Sequence, residues 1–273
     1  MARLVSDVRP KAENFRFRFD VPGCYRAPSF QQLLDRHPEV LWLYARHVEA
    51  RGHAVAYTQH VRQVIPRLTR WLQAELVADG RPGRCVQTST LLSRLLEELG
   101  IWSYIVAGGC VISFVPADVR PRIFYLFDLK PVEVPHAWVV APPFAVIDLT
   151  LRQQRYVGPV DRRIPAMVLS CQASRVGVDP EDVCTPALLQ GLQLRGWSRQ
   201  ELLQRAFPQF WHFLQQFPAR CVTMPGVRIK YIPARLLLPP GHKTWETLPL
   251  INGKSFHQFK VQMAAVLSGV GAA

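Results

Sequence analysis

Between Gly83 and Leu151 the hydrophobic pattern changes period once, and that change restricts the fold more than any other feature of the chain. Leu91, Leu92, Leu95, Leu96 and Leu99 recur at the spacing of one helix face, and Gly100 closes the run. From Trp102 onward the pattern becomes short runs rich in β-branched and aromatic residues, at 102–106, 110–115, 123–129, 137–140 and 146–151. Gly, Pro and Asp separate them. A helix followed by a block of strands predicts an α+β domain.

Helical spacing dominates before this block. Ser29 reads as the N-cap of a first helix through Leu33 and Leu34. His37-Pro38 opens a second, which Gly52 stops, and a third is expected over 58–77, kinked or split at Pro66. Alternating Phe15, Phe17 and Phe19 suggest a short strand or arm. After residue 160 the chain reads as irregular, then helical near 186–195, 198–217 and 255–268, with prolines at 233, 239, 240 and 249. The organisation expected is an N-terminal helical part (1–79), a core (80–160) and a basic, mostly helical extension packed on it (161–273).

Composition narrows the class. Hydrophobic residues make up 49% of the 273, enough apolar surface to build a core rather than a disordered polyelectrolyte. The run from Trp138 to Ile147 is uncharged but carries two prolines and is far shorter than the roughly 20 residues of a membrane span. The first residues are charged and show no secretory pattern. Six cysteines without a CxxC pair fit reduced thiols and a cytoplasmic protein. The net charge is +13, and residues 151–273 carry 15 basic against 6 acidic groups. That balance could attract an acidic partner or nucleic acid, although no RNP-like aromatic motif or zinc-finger spacing accompanies it. There is no Walker loop, no GxGxxG, and no zinc pattern around Cys171 and Cys184. The aromatic set Phe207, Phe210, Trp211, Phe213 and Phe217 has the spacing of a helix face and fits core packing.

One constellation carries chemistry. The turn Asp79-Gly80-Arg81-Pro82-Gly83 is followed at once by the helix, so Cys85 falls at or beside its first turn. A thiol there meets unpaired N–H groups and the positive end of the helix dipole, which favour a thiolate and a developing oxyanion. His136 is the only histidine between His60 and His212, and it begins an apolar strand. Asp148 interrupts the next strand, and Ala141-Pro142-Pro143-Phe144 suits the hairpin between them. Antiparallel pairing then sets an acid beside the imidazole, as a Cys-His-Asp mechanism requires. Each residue alone fits a plain structural role. Asp118 and Asp128 are alternative acids, and Gln59 and Gln63 are weak candidates for an oxyanion donor.

The segment Gly83-Arg84-Cys85-x-x-x-Ser89-x-Leu91-Leu92, then Leu95-Leu96-x-x-Leu99-Gly100, His136-Ala137-Trp138-Val139 and Val146-Ile147-Asp148-Leu149-Thr150 resembles the core of the transglutaminase-like (papain-like) superfamily. The resemblance spans about 80–151. It implies a Cys-bearing helix packed on an antiparallel sheet, with Cys85 as nucleophile, His136 as base and Asp148 as the orienting acid. It also implies thiol-dependent acyl transfer at an amide, by a peptidase, deamidase or transglutaminase, without a cofactor or metal. Arylamine N-acetyltransferases, distant relatives, usually show Arg-Gly-Gly-x-Cys, whereas this chain has Pro82-Gly83-Arg84-Cys85. The expected partner is a peptide or protein substrate, an acidic one being compatible with the charge. Nucleic acid is less favoured, and no membrane association is expected. The competing class is a non-catalytic scaffold whose basic C-terminal region binds an acidic partner or nucleic acid.

Overall fold

The computed structural model describes residues 19–52, 54–130, 135–156, 159–239 and 250–268. Four helices come first: α1 (Pro28–Arg36), α2 (Val40–Arg51), α3 (Val55–Asp79) and α4 (Cys85–Glu98). Strands β1 (Tyr104–Phe114), β2 (Arg122–Phe124), β3 (His136–Ala141), β4 (Phe144–Asp148), β5 (Val168–Ser170) and β6 (Ser174–Arg175) follow. Helices α5 (Pro180–Val183), α6 (Pro186–Gln193), α7 (Arg199–Ala206) and α8 (Pro208–Gln216) lead into β7 (Arg220–Met224) and β8 (Val227–Leu237), and α9 (Phe256–Ser268) ends the described chain. The fold is α+β, as the change of period predicts.

The sheet is antiparallel, in the order β5-β4-β3-β1-β8-β7-β6, and β2 pairs with the second half of β1. Alternation along the strands sends side chains to two faces. Tyr104, Val106, Trp138, Val146 and Tyr231 join α1 and α2 in one core. Ile105, Ala137, Val139 and Ile147 pack under α3, α4 and α9 in a second. Val111 and Ile232 pack under α5–α8 in a third. No described helix is long and apolar enough to cross a membrane.

Several local expectations change. The two runs at 102–106 and 110–115 are one strand, because Gly108 and Gly109 make no turn. A Cβ on Gly108 would sit 2.0 Å from the Ile232 carbonyl oxygen, so glycine is there to let β8 approach. Pro66 does not split α3. Its missing N–H costs a bond on the exposed Arg62 side, where water can replace it. The first helix begins at Pro28, with Ala27 and not Ser29 as N-cap. The helix expected over 198–217 is two, because Pro208 forces Phe207 out of helical geometry (φ −134°, ψ 64°). The run at 123–129 is a strand only over β2, and Leu126 and Phe127 donate instead to the Val183 carbonyl. Phe15 and Phe17 lie outside the described residues, as do Pro240 and Pro249. Phe19 stacks on His47 at 5.0 Å.

The largest difference concerns 161–273. That region is not mostly helical at its centre: β7 and β8 form a hairpin, and β8 pairs with β1 along nearly its whole length. β8 therefore lies in the same sheet as β1, β3 and β4. Pro225-Gly226, with Gly226 at φ 79°, makes the turn between two β-branched runs. Glu97 and Glu98, at the unfavourable end of α4, are held by tertiary partners. Glu97 accepts from Tyr25 and pairs with Arg26 and, within its own helix, Arg94, and Glu98 pairs with Lys260 at 2.7 Å.

Candidate active site

Cys85 and His136 are each the first residue of their element, α4 and β3. The start of α4 is unusual. Its N-cap is Arg84, which makes no side-chain cap, and its first turn holds no acid. Helices usually satisfy these N–H groups with Ser, Thr, Asp or Asn, worth about 1 kcal/mol. Here the first-turn N–H groups beside the thiol are left for another acceptor. The preceding turn is fixed from outside, since the Gly83 N–H donates to the Gln153 carbonyl at 2.9 Å.

His136 and Asp148 meet as the hairpin predicts. Nε2 of His136 lies 2.7 Å from Oδ2 of Asp148, with both side chains fully buried. Asp148 has three more partners: Tyr231 OH donates to Oδ2 at 3.0 Å, and Thr150 donates to Oδ1 from N–H at 2.9 Å and from Oγ1 at 3.2 Å. Burial pushes the Asp148 carboxyl up, but the imidazolium and these hydrogen bonds outweigh it and hold the group below its usual value. Burial pulls the His136 ring down, yet the Asp148 charge and hydrogen bond, with a smaller contribution from Cys85, leave it raised. Both shifts run in the direction that favours the charged forms of the pair. Phe124 stacks on the imidazole at 5.6 Å, and Trp138 and Tyr231 lie at 6.2 and 6.4 Å.

The thiol approaches from a different direction. Cys85 belongs to the core under α4, whereas Trp138 and Tyr231, which flank His136, belong to the opposite face. Thiol and imidazole interact where α4 and β3 begin. They do so without a hydrogen bond of normal geometry, and His136 Nδ1 has no such partner among the described residues. Cys85 is 5% exposed, His136 0% and Asp148 1%, so all three residues are buried.

The other candidates are placed elsewhere. Asp118 pairs with Arg163, and Asp128 accepts from Thr185 and the Leu129 N–H. Gln59 and Gln63 are exposed on α3. Burial pushes Cys24 and Cys184 up to about 12 and raises Cys110 and Cys171, which makes these thiols poor nucleophiles. No described cluster of His, Cys, Asp or Glu could hold a metal. Sequence reasoning missed Tyr231. Its one signal was the alternation Val227, Ile229, Tyr231 after Pro225-Gly226, a strand pattern in a stretch read only as proline-rich. No family model, curated protein or solved structure matches this chain.

Proposed function

We propose that the protein is a thiol-dependent acyl-transfer enzyme acting on an amide bond of a peptide or protein. The observation that carries this is the buried His136–Asp148 pair, whose second ring nitrogen is unengaged beside a thiol at an uncapped helix start. The resemblance to the transglutaminase-like core supports the same roles. Cys85 attacks the amide carbonyl as the thiolate whose proton His136 holds, and the first-turn N–H groups of α4 face the oxyanion that forms. The imidazolium of His136 gives its proton to the leaving nitrogen, which departs as an amine or ammonia. The thioester then passes its acyl group to water or to a second amine, with His136 accepting the proton of the incoming nucleophile. Asp148, held by Tyr231 and Thr150, keeps the ring oriented.

Cys85→Ala tests this. The exchange removes one sulfur atom, so folding stability should change by no more than about 1–2 kcal/mol. Release of ammonia or cleaved peptide, and incorporation of an amine into a protein acceptor, should all vanish. Cys110→Ala and Cys171→Ala should keep turnover. If folded Cys85→Ala turns over like the wild type, the scaffold reading replaces this one.

A further inference from the structure

We infer that a cleft beside His136 receives the acidic side chain of a peptide substrate. The inference rests on the acyl-transfer reading above and names the substrate class for that site. The cleft measures about 280 Å³ and is lined by residues 121–125, Arg155 and Tyr156.

Contacts on two sides tie the cleft to the candidate active site. Phe124, one wall, stacks on the His136 ring with planes 19° apart, and packs against Tyr156 at 5.7 Å. Arg155, on the other side, lies over the turn that delivers the thiol: a Cβ on Gly83 would come 3.2 Å from Arg155 Nε. A group in the cleft is thus one ring away from the imidazole and close to the chain two residues before Cys85.

The charge of the cleft selects the ligand. Its lining holds Arg155 and Arg122, the latter also acting on Asp161, and no carboxylate. Arg155 is exposed and has no ion-pair partner among the described residues. Asp118 and Asp161, acids of the adjoining loops, are both held by Arg163, at 2.6 and 2.8 Å. A guanidinium presents a planar fork that fits a carboxylate with two parallel hydrogen bonds. Phe124, Tyr125 and Tyr156 supply walls for the methylenes of Asp or Glu, and their low polarity strengthens the charge pairing. A phosphate would feel the same charge. The place of the cleft, beside a thiol suited to amides, favours a peptide carboxylate over nucleic acid.

The test uses the full chain carrying Cys85→Ala, checked for folding by circular dichroism. Its probes are three fluorescein-labelled peptide pools that differ only in a fixed Glu, Gln or Lys, read by fluorescence anisotropy. The Glu pool should bind about tenfold tighter than the Gln pool, and Arg155→Gln should cut that preference below about threefold. Arg155→Glu should turn the preference toward the Lys pool. In the otherwise wild-type enzyme, Arg155→Gln should raise KM for the Glu pool and leave kcat nearly unchanged, as expected for lost ground-state binding. Equal binding of the Glu and Gln pools, or a Glu preference that survives Arg155→Gln, would overturn the inference. So would a labelled single-stranded oligonucleotide that binds more tightly than the Glu pool and depends on Arg155. The two readings fail separately. An Arg155-dependent Glu preference without turnover of any pool upholds the acidic-peptide site and removes acyl transfer. Turnover without that preference does the reverse.

Discussion

Asp148 accepts hydrogen bonds on both oxygens and is almost completely buried, so its charge is sustained only by its partners. The sign of its pH dependence follows. His136 is raised in the folded state, so its stabilisation is complete below the unfolded value near 6.5 and is lost as pH rises through the folded value. Asp148 is lowered, so its stabilisation is present above the unfolded value of about 3.9 and is lost as pH falls through the folded value. Between those two folded values the pair stays charged. Nitrogen chemical shifts of His136 near neutral pH should therefore report an imidazolium, at a pH where a free histidine is mostly neutral. A neutral ring there would contradict the pairing. Tyr231→Phe deletes one donor to an ionised acceptor and keeps the ring. It should lower unfolding free energy by about 1.5–3 kcal/mol in urea titrations, and reduce turnover less than His136→Gln does.

At the scale of elements, the contact of β1 with β8 is the most sensitive to a single atom. Gly108→Ala places a methyl carbon 2.0 Å from the Ile232 oxygen, where only separation of the two backbones relieves the clash. Its cost should exceed the roughly 1–3 kcal/mol of ordinary overpacking. Gly191→Ala in α6 meets nothing within 4 Å and should be neutral or stabilise by about 0.5–1 kcal/mol. Comparing denaturation midpoints of the two variants separates close approach from general intolerance of a side chain. The far end of α4 is the second sensitive place. Arg94 and Glu97 have side chains 1% and 2% exposed, and Tyr25 and Arg26 complete the group. Burial raises the Glu97 carboxyl, against the pull of Tyr25 and the two arginines. Glu97→Leu would leave Arg94 buried without its carboxylate, and breaking a pair of this kind costs about 3–5 kcal/mol. A thermal midpoint unchanged from wild type would show that the ion pair adds no net stability.

For the whole molecule, the position of β8 decides what can be removed. It lies between β1 and β7, and its Tyr231 reaches Asp148. A chain ending near residue 215 would lose the central neighbour of β1 and expose three cores at once. Limited proteolysis should therefore yield no stable fragment 1–160, and a truncated chain should show neither cooperative unfolding nor activity. A folded, active fragment without β8 would contradict this arrangement.

The amino-acid sequence by itself determined the elements that local chemistry can write. The leucine face of α4, the β-branched runs of β3 and β4, and the Pro-Pro link between them specify a helix and a hairpin through periodicity and turn residues alone. That hairpin was enough to bring His136 to Asp148. What only the tertiary structure decided are relations between segments far apart in the chain. Gly108-Gly109 looked like a break because sequence does not show the backbone of β8 passing over it. Tyr231, 83 residues from Asp148, joins the site through strand pairing that no local pattern encodes. The meeting of Cys85 with the imidazole depends on where two separate elements begin in space. Long-range strand order follows from which faces bury each other, and that is a property of the packed chain.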